Sequence, residues 1–342
     1  MSRLTLSVLI ANYNYAHTLE RSIESVLSQS RQPDEFVIID DASTDGSEVI
    51  LDRYAAAYPW LRLIRHEKNL GAMATIQEAQ RVITGDFGLC FGSDDYVSPG
   101  AIEKFMAAAE RHPTVAFIQG EYIAADLAGK ELWRARVEAG PSPMLMTPST
   151  YMEIVFEEMP PYSGVGGGRL FRRAALEEAD LRPELHGWLD TYAAHVAALR
   201  HGCYYLPEPL LVLHMAENSL SAKTSRDPKI LLDIMGRAAW LMRSPQYREL
   251  FPESCVQRWE RRCREVCERM APPALGALDT SFHQVSEEVV KALDPHRLAE
   301  RIVRSVVFRT LRACLLLTRI TARRALRHYR PDLSCYGLGG SR

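Results

Sequence analysis

From Leu4 to Ile118, short apolar runs alternate with segments that carry one apolar face at helical spacing, and this alternation constrains the fold most. Leu4 to Ala11, Phe36 to Ile39, Leu61 to Ile64, Phe87 to Phe91 and Val115 to Ile118 read as buried strands. Between them, Leu19, Ile23, Val26 and Leu27 fall on one helical face, then Val49, Ile50 and Tyr54, then Met73, Ile76, Ala79 and Ile83. Ser43-Thr44-Asp45-Gly46 supplies a turn and an N-cap, and Ser98-Pro99 caps the next helix with Pro at its first position. Strands alternating with helices imply an α/β fold, with a mostly parallel central sheet flanked by helices and right-handed crossovers.

That geometry has a chemical consequence. The carboxyl ends of parallel strands line up along one sheet edge, where open α/β folds bind ligands. Asn12-Tyr13-Asn14, Asp40-Asp41 and Ser93-Asp94-Asp95 each follow a strand, so the three polar clusters converge. Adjacent carboxylates repel, and a hard divalent cation carrying phosphates relieves that repulsion. The plainer alternative is a set of polar turns leaving the core. No Gly-x-Gly-x-x-Gly follows the first strand and no Walker lysine loop is present, which argues against a dinucleotide enzyme or a P-loop NTPase.

Composition narrows the partners. The net charge of -2 gives no global reason to expect nucleic acid. Seven cysteines without paired spacing read as reduced thiols in a cytoplasmic protein. Cys255, Cys263 and Cys267 lie at helical spacing and read as a buried helix face in preference to a metal site. The sequence shows no signal peptide pattern and no apolar run long enough to span a bilayer.

Taken in order, several stretches resemble the family 2 glycosyltransferases, which have the GT-A fold. They are Ser7 to Asn14, Ser25-Val26-Leu27-Ser28-Gln29, Val37 to Ser47 with its Asp40-Asp41-Ala42-Ser43-Thr44-Asp45-Gly46 core, Asn69-Leu70-Gly71, Gly92-Ser93-Asp94-Asp95 and Pro99. The resemblance covers roughly residues 4 to 222. It implies that Ala11, Asn12, Tyr13 and Asn14 line a nucleotide pocket, and that Asp40 bonds the base. Asp41, Asn69, Gly71, Ser93 and Asp94 complete the donor site. Asp95, with Asp94, would contact Mn²⁺ or Mg²⁺ bridging the diphosphate. Many relatives carry Asp where this chain has Gly92, so the cluster is one carboxylate short.

The same resemblance extends to the middle of the chain. Pro160 to Gly168 is glycine-rich, and Gly166 and Gly167 would let the backbone approach the sugar or acceptor, although a linker loop has the same composition. Arg169 to Arg173 matches the strand that leads to the acceptor side. Asp190 matches the family's acidic catalytic residue at a helix start, where it would take the proton of the attacking hydroxyl. An acid favoured by the helix dipole is the alternative. His186 and Trp188 would flank the sugar. His214 matches a segment that closes over the donor, with a structural histidine as an equal reading.

Residues 223–342 read as a separate helical region, with helices over Ile230–Met242, Glu253–Met270, Ser286–Leu293 and Leu298–Tyr329. Between Arg301 and Arg330 there are nine arginines and no acid, and eight of them share one half of the helical wheel. Such a basic amphipathic helix suits an anionic membrane surface, packing on protein, or a homodimer contact. The expectation is therefore an inverting, metal-dependent transferase, cytoplasmic or peripheral on the inner face of the cytoplasmic membrane. It would move a sugar from a nucleotide donor, a UDP-sugar first, to a glycan or lipid-linked acceptor in cell-surface polysaccharide synthesis. A non-catalytic nucleotide-sugar or glycan-binding scaffold is the alternative, with a sugar-phosphate nucleotidyltransferase behind it.

Overall fold

A computed structural model describes residues 3–126, 129–135, 140–157, 168–214 and 227–270. The glycines Gly166 and Gly167, the 222/223 boundary and the basic helix over 301–330 lie outside them.

The alternation of the sequence becomes β1 (Leu6–Asn12), α1 (Ala16–Leu27), β2 (Glu35–Asp40), α2 (Ser47–Ala57), β3 (Leu61–Arg65), α3 (Ala72–Val82) and β4 (Phe87–Gly92). These strands pair in parallel in the order β3-β2-β1-β4. Side chains alternate across them as the strand pleat requires. Val8, Ile10, Phe36, Ile38 and Leu89 face Leu19, Ile23 and Val26 of α1, together with Ile102, Phe105 and Met106. Leu9, Val37 and Ile39 face Ala79 and Ile83 on the opposite side. Both faces of the sheet are thus covered, and the polar strand ends are left at its carboxyl edge.

Beyond β4 the sheet is mixed. The two-residue β5 (Tyr96–Val97) leads to α4 (Ala101–Arg111) and β6 (Phe117–Ala125). α4 starts later than Ser98-Pro99 predicts. Gly100 stands before it at φ 72°, and the Ser98 carbonyl accepts the Ala101 N–H at 3.1 Å. The chain then forms β7 (Glu131–Ala135), β8 (Met144–Met146), α5 (Pro148–Tyr151) and a π-helical turn over Met152–Phe156. β9 (Arg169–Arg172) inserts antiparallel between β4 and β6, so the sheet continues β4-β9-β6-β10-β5. β10 (Cys203–His214) runs parallel to β6 along its length.

α6 (Arg173–Ala179) and a 3-10 segment over Pro183–Trp188 lead into α7 (Leu189–His201). α8 (Pro228–Met242) and α9 (Glu253–Met270) follow, within the same compact unit as the sheet. An aromatic cluster joins them to α7. Trp259 lies 5.5 Å from Trp188 and 6.4 Å from Phe156, and Tyr192 stacks on Phe251 at 6.1 Å. His195, bonded to the Tyr151 hydroxyl at 3.0 Å, is buried beneath them, and burial lowers its pKa to about 3. Among the described residues, no helix is long and apolar enough to cross a membrane.

Candidate active site

The three polar clusters do meet at the carboxyl edge of β1, β2 and β4. Register places Asn12 beside Asp40 and Ala11 beside Gly92. The Asn12 amide donates to Asp40 Oδ1 at 2.7 Å and to Ser43 Oγ at 3.0 Å. Ser43 in turn donates to Asp40 Oδ1 at 2.6 Å and accepts the Asn14 N–H at 2.9 Å. Asn14 sits in the left-handed region at φ 58° and caps Thr44 N with its side-chain oxygen at 2.7 Å. The loops after β1 and β2 are therefore laced into one wall, from which Tyr13 stands 43% exposed. Two buried polar atoms of this wall, Asn12 Oδ1 and Ser93 Oγ, have no hydrogen-bond partner. Such groups are uncommon in folded proteins, and a bound ligand is one way to complete the network.

Asp41 has a different position from Asp40. It points to the loop before α3, where Oδ1 accepts the Leu70 N–H at 2.7 Å and Oδ2 the Gly71 N–H at 2.9 Å. His66 Nδ1 bonds the same Oδ1 at 2.7 Å while its Nε2 bonds Glu78 at 2.7 Å. Burial alone would lower the His66 pKa, but the bonds to Asp41 and Glu78 outweigh it and raise it. Asp41 thus anchors the Asn69-Gly71 loop, with Gly71 at φ 86°.

The Asp94-Asp95 corner follows β4 directly. Ser93 N bonds the Ala11 carbonyl at 2.9 Å, and Asp95 N turns back to the Gly92 carbonyl at 3.0 Å. Asp95 Oδ1 accepts the backbone N–H of His214 at 2.8 Å. Both carboxyls hold their protons above the usual carboxylate range. Burial is the first cause for each, and the charge of Asp94 adds to it for Asp95, whose shift is large. Burial and then these two acids push the Tyr15 hydroxyl, bonded to Asp94, up to about 12.

Hard oxygen donors that repel each other and resist ionisation fit a divalent cation. Among the described residues, no group of three or more His, Cys, Asp or Glu is set to hold one alone.

Around this corner lie residues that sequence reading missed. Arg21 Nη2 bonds His214 Nε2 at 2.9 Å and lies over the Tyr96 ring at 4.9 Å, bracing the strand end that holds Asp95. His214 is buried, and its pKa is lowered by burial and then by Arg21. Arg169 is 4% exposed. Its Nε donates to Gln119 at 2.8 Å, and its Nη1 has no partner. Burial lowers its pKa, and Tyr151 and then Asp190 oppose that. Arg21 has a weak sequence signal, one helical turn after His17, whereas nothing in the sequence marks Arg169 as buried.

Asp190 occupies the first turn of α7, half-buried, with Oδ1 on its neighbour's N–H at 2.7 Å. Burial, and then the charges of Asp190 and Asp95, raise the pKa of the Tyr122 hydroxyl. His186 is exposed four residues earlier at φ 45° and ψ −128°, a strained conformation of the kind that functional segments hold. Trp188 does not reach the cleft. It is 4% exposed and packs in the aromatic cluster with Tyr192, His195 and Trp259, because α9 covers that side of the 3-10 segment.

Known proteins share this fold. The S. aureus protein TarS 1-349, solved with UDP-GlcNAc, superposes with a TM-score of 0.59 at 16% identity over 76% of this chain and 72% of its own. The mannosyltransferase PcManGT from Pyrobaculum calidifontis, solved with GDP-Man and Mn²⁺, superposes with a TM-score of 0.52 at 16% identity over 81% of this chain and 77% of its own. Both share the fold. In sequence, the Bacillus subtilis protein EpsE, named as a glycosyltransferase, is 39% identical over 108 residues, 31% of this chain and 39% of that one. The match thus spans about two fifths of that relative. The family model described as glycosyl transferase family 2 matches residues 7–179, just over half of the 342 residues, and the chain belongs to that family.

Proposed function

We propose that this chain is an inverting glycosyltransferase. It moves a sugar from a nucleoside-diphosphate donor, a UDP-sugar first, to a hydroxyl of a glycan or lipid-linked saccharide in cell-surface polysaccharide synthesis. The observation that carries the reading is the convergence of an unpaired Asn12 Oδ1 at the end of β1 with an unpaired Ser93 Oγ and the buried acid pair Asp94-Asp95 at the end of β4.

The base and ribose lie along the Asn12-Asp40-Ser43 wall, with the Asn69-Gly71 loop held in place by Asp41. Asp94 and Asp95 would hold a Mn²⁺ or Mg²⁺ ion, which when bound would supply positive charge to neutralise the diphosphate. Asp190 accepts the proton of the acceptor hydroxyl as its oxygen attacks the anomeric carbon. The bond from that carbon to the diphosphate oxygen breaks, and the nucleoside diphosphate leaves with the electron pair. Attack from the face opposite the leaving group inverts the configuration. The solved relatives' ligands, UDP-GlcNAc and GDP-Man with Mn²⁺, support a nucleotide-sugar donor.

The test is nucleotide release from a donor panel with and without Mn²⁺, in wild type and Asp190→Asn. Loss of a general base lowers transfer by about 10²–10⁴-fold. Full transfer by Asp190→Asn would remove Asp190 from this role.

A further inference from the structure

The stretch Ser25 to Gln29 has no part in the donor site described so far, yet its polar side chains reach the segment that follows the acid pair. Arg21, Ser25 and Gln29 fall at four-residue intervals, so Arg21 and Ser25 share one face of α1 and Gln29 continues it just past the helix end. Ser25 Oγ accepts the Val97 N–H at 3.2 Å. The Gln29 amide donates to the Ser98 carbonyl at 3.0 Å, and its oxygen accepts the Ile102 N–H at 3.2 Å. Arg21 is the rung nearest the acids, with its guanidinium 4.9 Å from the centre of the Tyr96 ring. The chain from Tyr96 to Ile102 is thus laced to α1 side chain by side chain.

Arg21 also reaches Asp95 by a second route. Its Nη2 lies 2.9 Å from His214 Nε2. A guanidinium only donates, so this ring nitrogen carries the lone pair. The Tyr96 and His214 rings lie 5.6 Å apart, and β5 pairs with β10 through Tyr96 and Val212, two residues before His214. The His214 backbone N–H donates to Asp95 Oδ1 at 2.8 Å. One oxygen of Asp95 is therefore committed to the backbone. The other, Oδ2, faces the room beside Gly92, as Asp94 Oδ1 does. A Cβ at position 92 would lie 3.9 Å from the first and 2.5 Å from the second.

We propose that Arg21 is a positioning residue for the metal-diphosphate corner: by tying Tyr96 and His214 together, it fixes the N–H that occupies Asp95 Oδ1 and so presents Oδ2 to the ion. Arg21 acts through Asp95. The inference rests on the transferase reading for the identity of the ion, whereas the hold on Asp95 can be measured without any ligand.

The experiment compares the full chain as wild type, Arg21→Met and Arg21→Lys. Met keeps an unbranched apolar stem without donor or charge, and Lys keeps the charge and a donor. Calorimetry reads Mn²⁺ affinity with UDP present and UDP affinity without metal. Arg21→Met should weaken Mn²⁺ binding roughly tenfold, the lower end of what losing a group that supports a metal ligand costs. Arg21→Lys should recover part of that, and UDP affinity without metal should stay within about twofold throughout. Exchange of the His214 amide hydrogen, read by NMR without ligands, should be faster in Arg21→Met than in wild type. Arg21→Met that binds Mn²⁺ like wild type overturns the proposal. So does a variant that loses UDP affinity in step with Mn²⁺, the mark of a general loosening of α1, and so does wild type that binds UDP without gaining a Mn²⁺ site. A chain whose His214 amide loses protection in Arg21→Met while neither form binds UDP overturns the transferase reading and leaves the positioning of Asp95 by Arg21 standing.

Discussion

Asp41 offers the sharpest separation between holding the donor loop and touching the donor. Replacing it with Asn keeps its shape and removes its charge. The native carboxylate is 3% exposed and accepts three donors, from Leu70, Gly71 and His66. An amide has one oxygen, so its NH₂ group must face at least one of these N–H donors. A hydrogen bond to a charged group contributes about 1.5–3 kcal/mol, and a buried donor left unpaired costs about 1–3 kcal/mol. Partial relaxation of the loop gives a net loss of about 2–4 kcal/mol for Asp41→Asn. Urea denaturation should show this as a lower midpoint at unchanged slope. Donor affinity should fall as well, because the Asn69-Gly71 loop loses its anchor. A stability change below about 0.5 kcal/mol with unaltered donor affinity would refute the anchoring argument, since that is the range of surface substitutions away from such features.

Two further outcomes follow from the same region and from α7. The His66 pKa lies above its ordinary value, so protonated His66 favours the folded state. Its contribution is complete below about pH 6.5 and fades as pH rises through the raised value. Denaturation from pH 5.5 to 9, wild type minus His66→Gln, should show the stability difference shrinking upward, and a difference that grows with pH would contradict it. For Asp190→Asn, donor binding and melting temperature should stay close to wild type while transfer collapses, and a parallel loss of donor affinity would point to a structural role instead.

The part of this fold that local pattern determines was readable from sequence. β1 to β4 and their helices follow from alternation of apolar runs, and the convergence of Asn12, Asp40 and Asp94 follows from parallel pairing alone. The antiparallel insertion of β9 was not readable, because it depends on Leu170 pairing with both Leu89 and Ile118, contacts distant in sequence. For the same reason the sequence did not reveal that Asp41 anchors the loop before α3, because its bonds reach His66, Leu70 and Gly71, far along the chain. Trp188 was misread because its partner Trp259 comes from a helix some seventy residues later.

Gly92 changes meaning once its surroundings are known. From sequence it is a missing carboxylate. In the structure, a Cβ built at Gly92 would meet Asp94 Oδ1 at 2.5 Å, with Asp95 Oδ2 at 3.9 Å. Position 92 therefore aims at the same corner as the two acids, and Asp94 has turned into the room that glycine leaves. Tyr15, bonded to Asp94, lies on that corner as well. Gly92→Ala adds no charge and sits in extended backbone, so it should be tolerated by the fold. It must still displace the Asp94 carboxylate. Mn²⁺ affinity in the presence of UDP, read by calorimetry, should fall several-fold, an effect of about 1 kcal/mol. Gly92→Asp should not restore tighter binding, because it displaces Asp94 and adds a third acid to a corner where burial already holds two carboxyls above the usual carboxylate range. If Gly92→Ala leaves Mn²⁺ affinity unchanged, the orientation of Asp94 is not what holds the ion. If Gly92→Asp binds Mn²⁺ more tightly than wild type, the chain is short of a carboxylate after all, and Asp94 does not replace it.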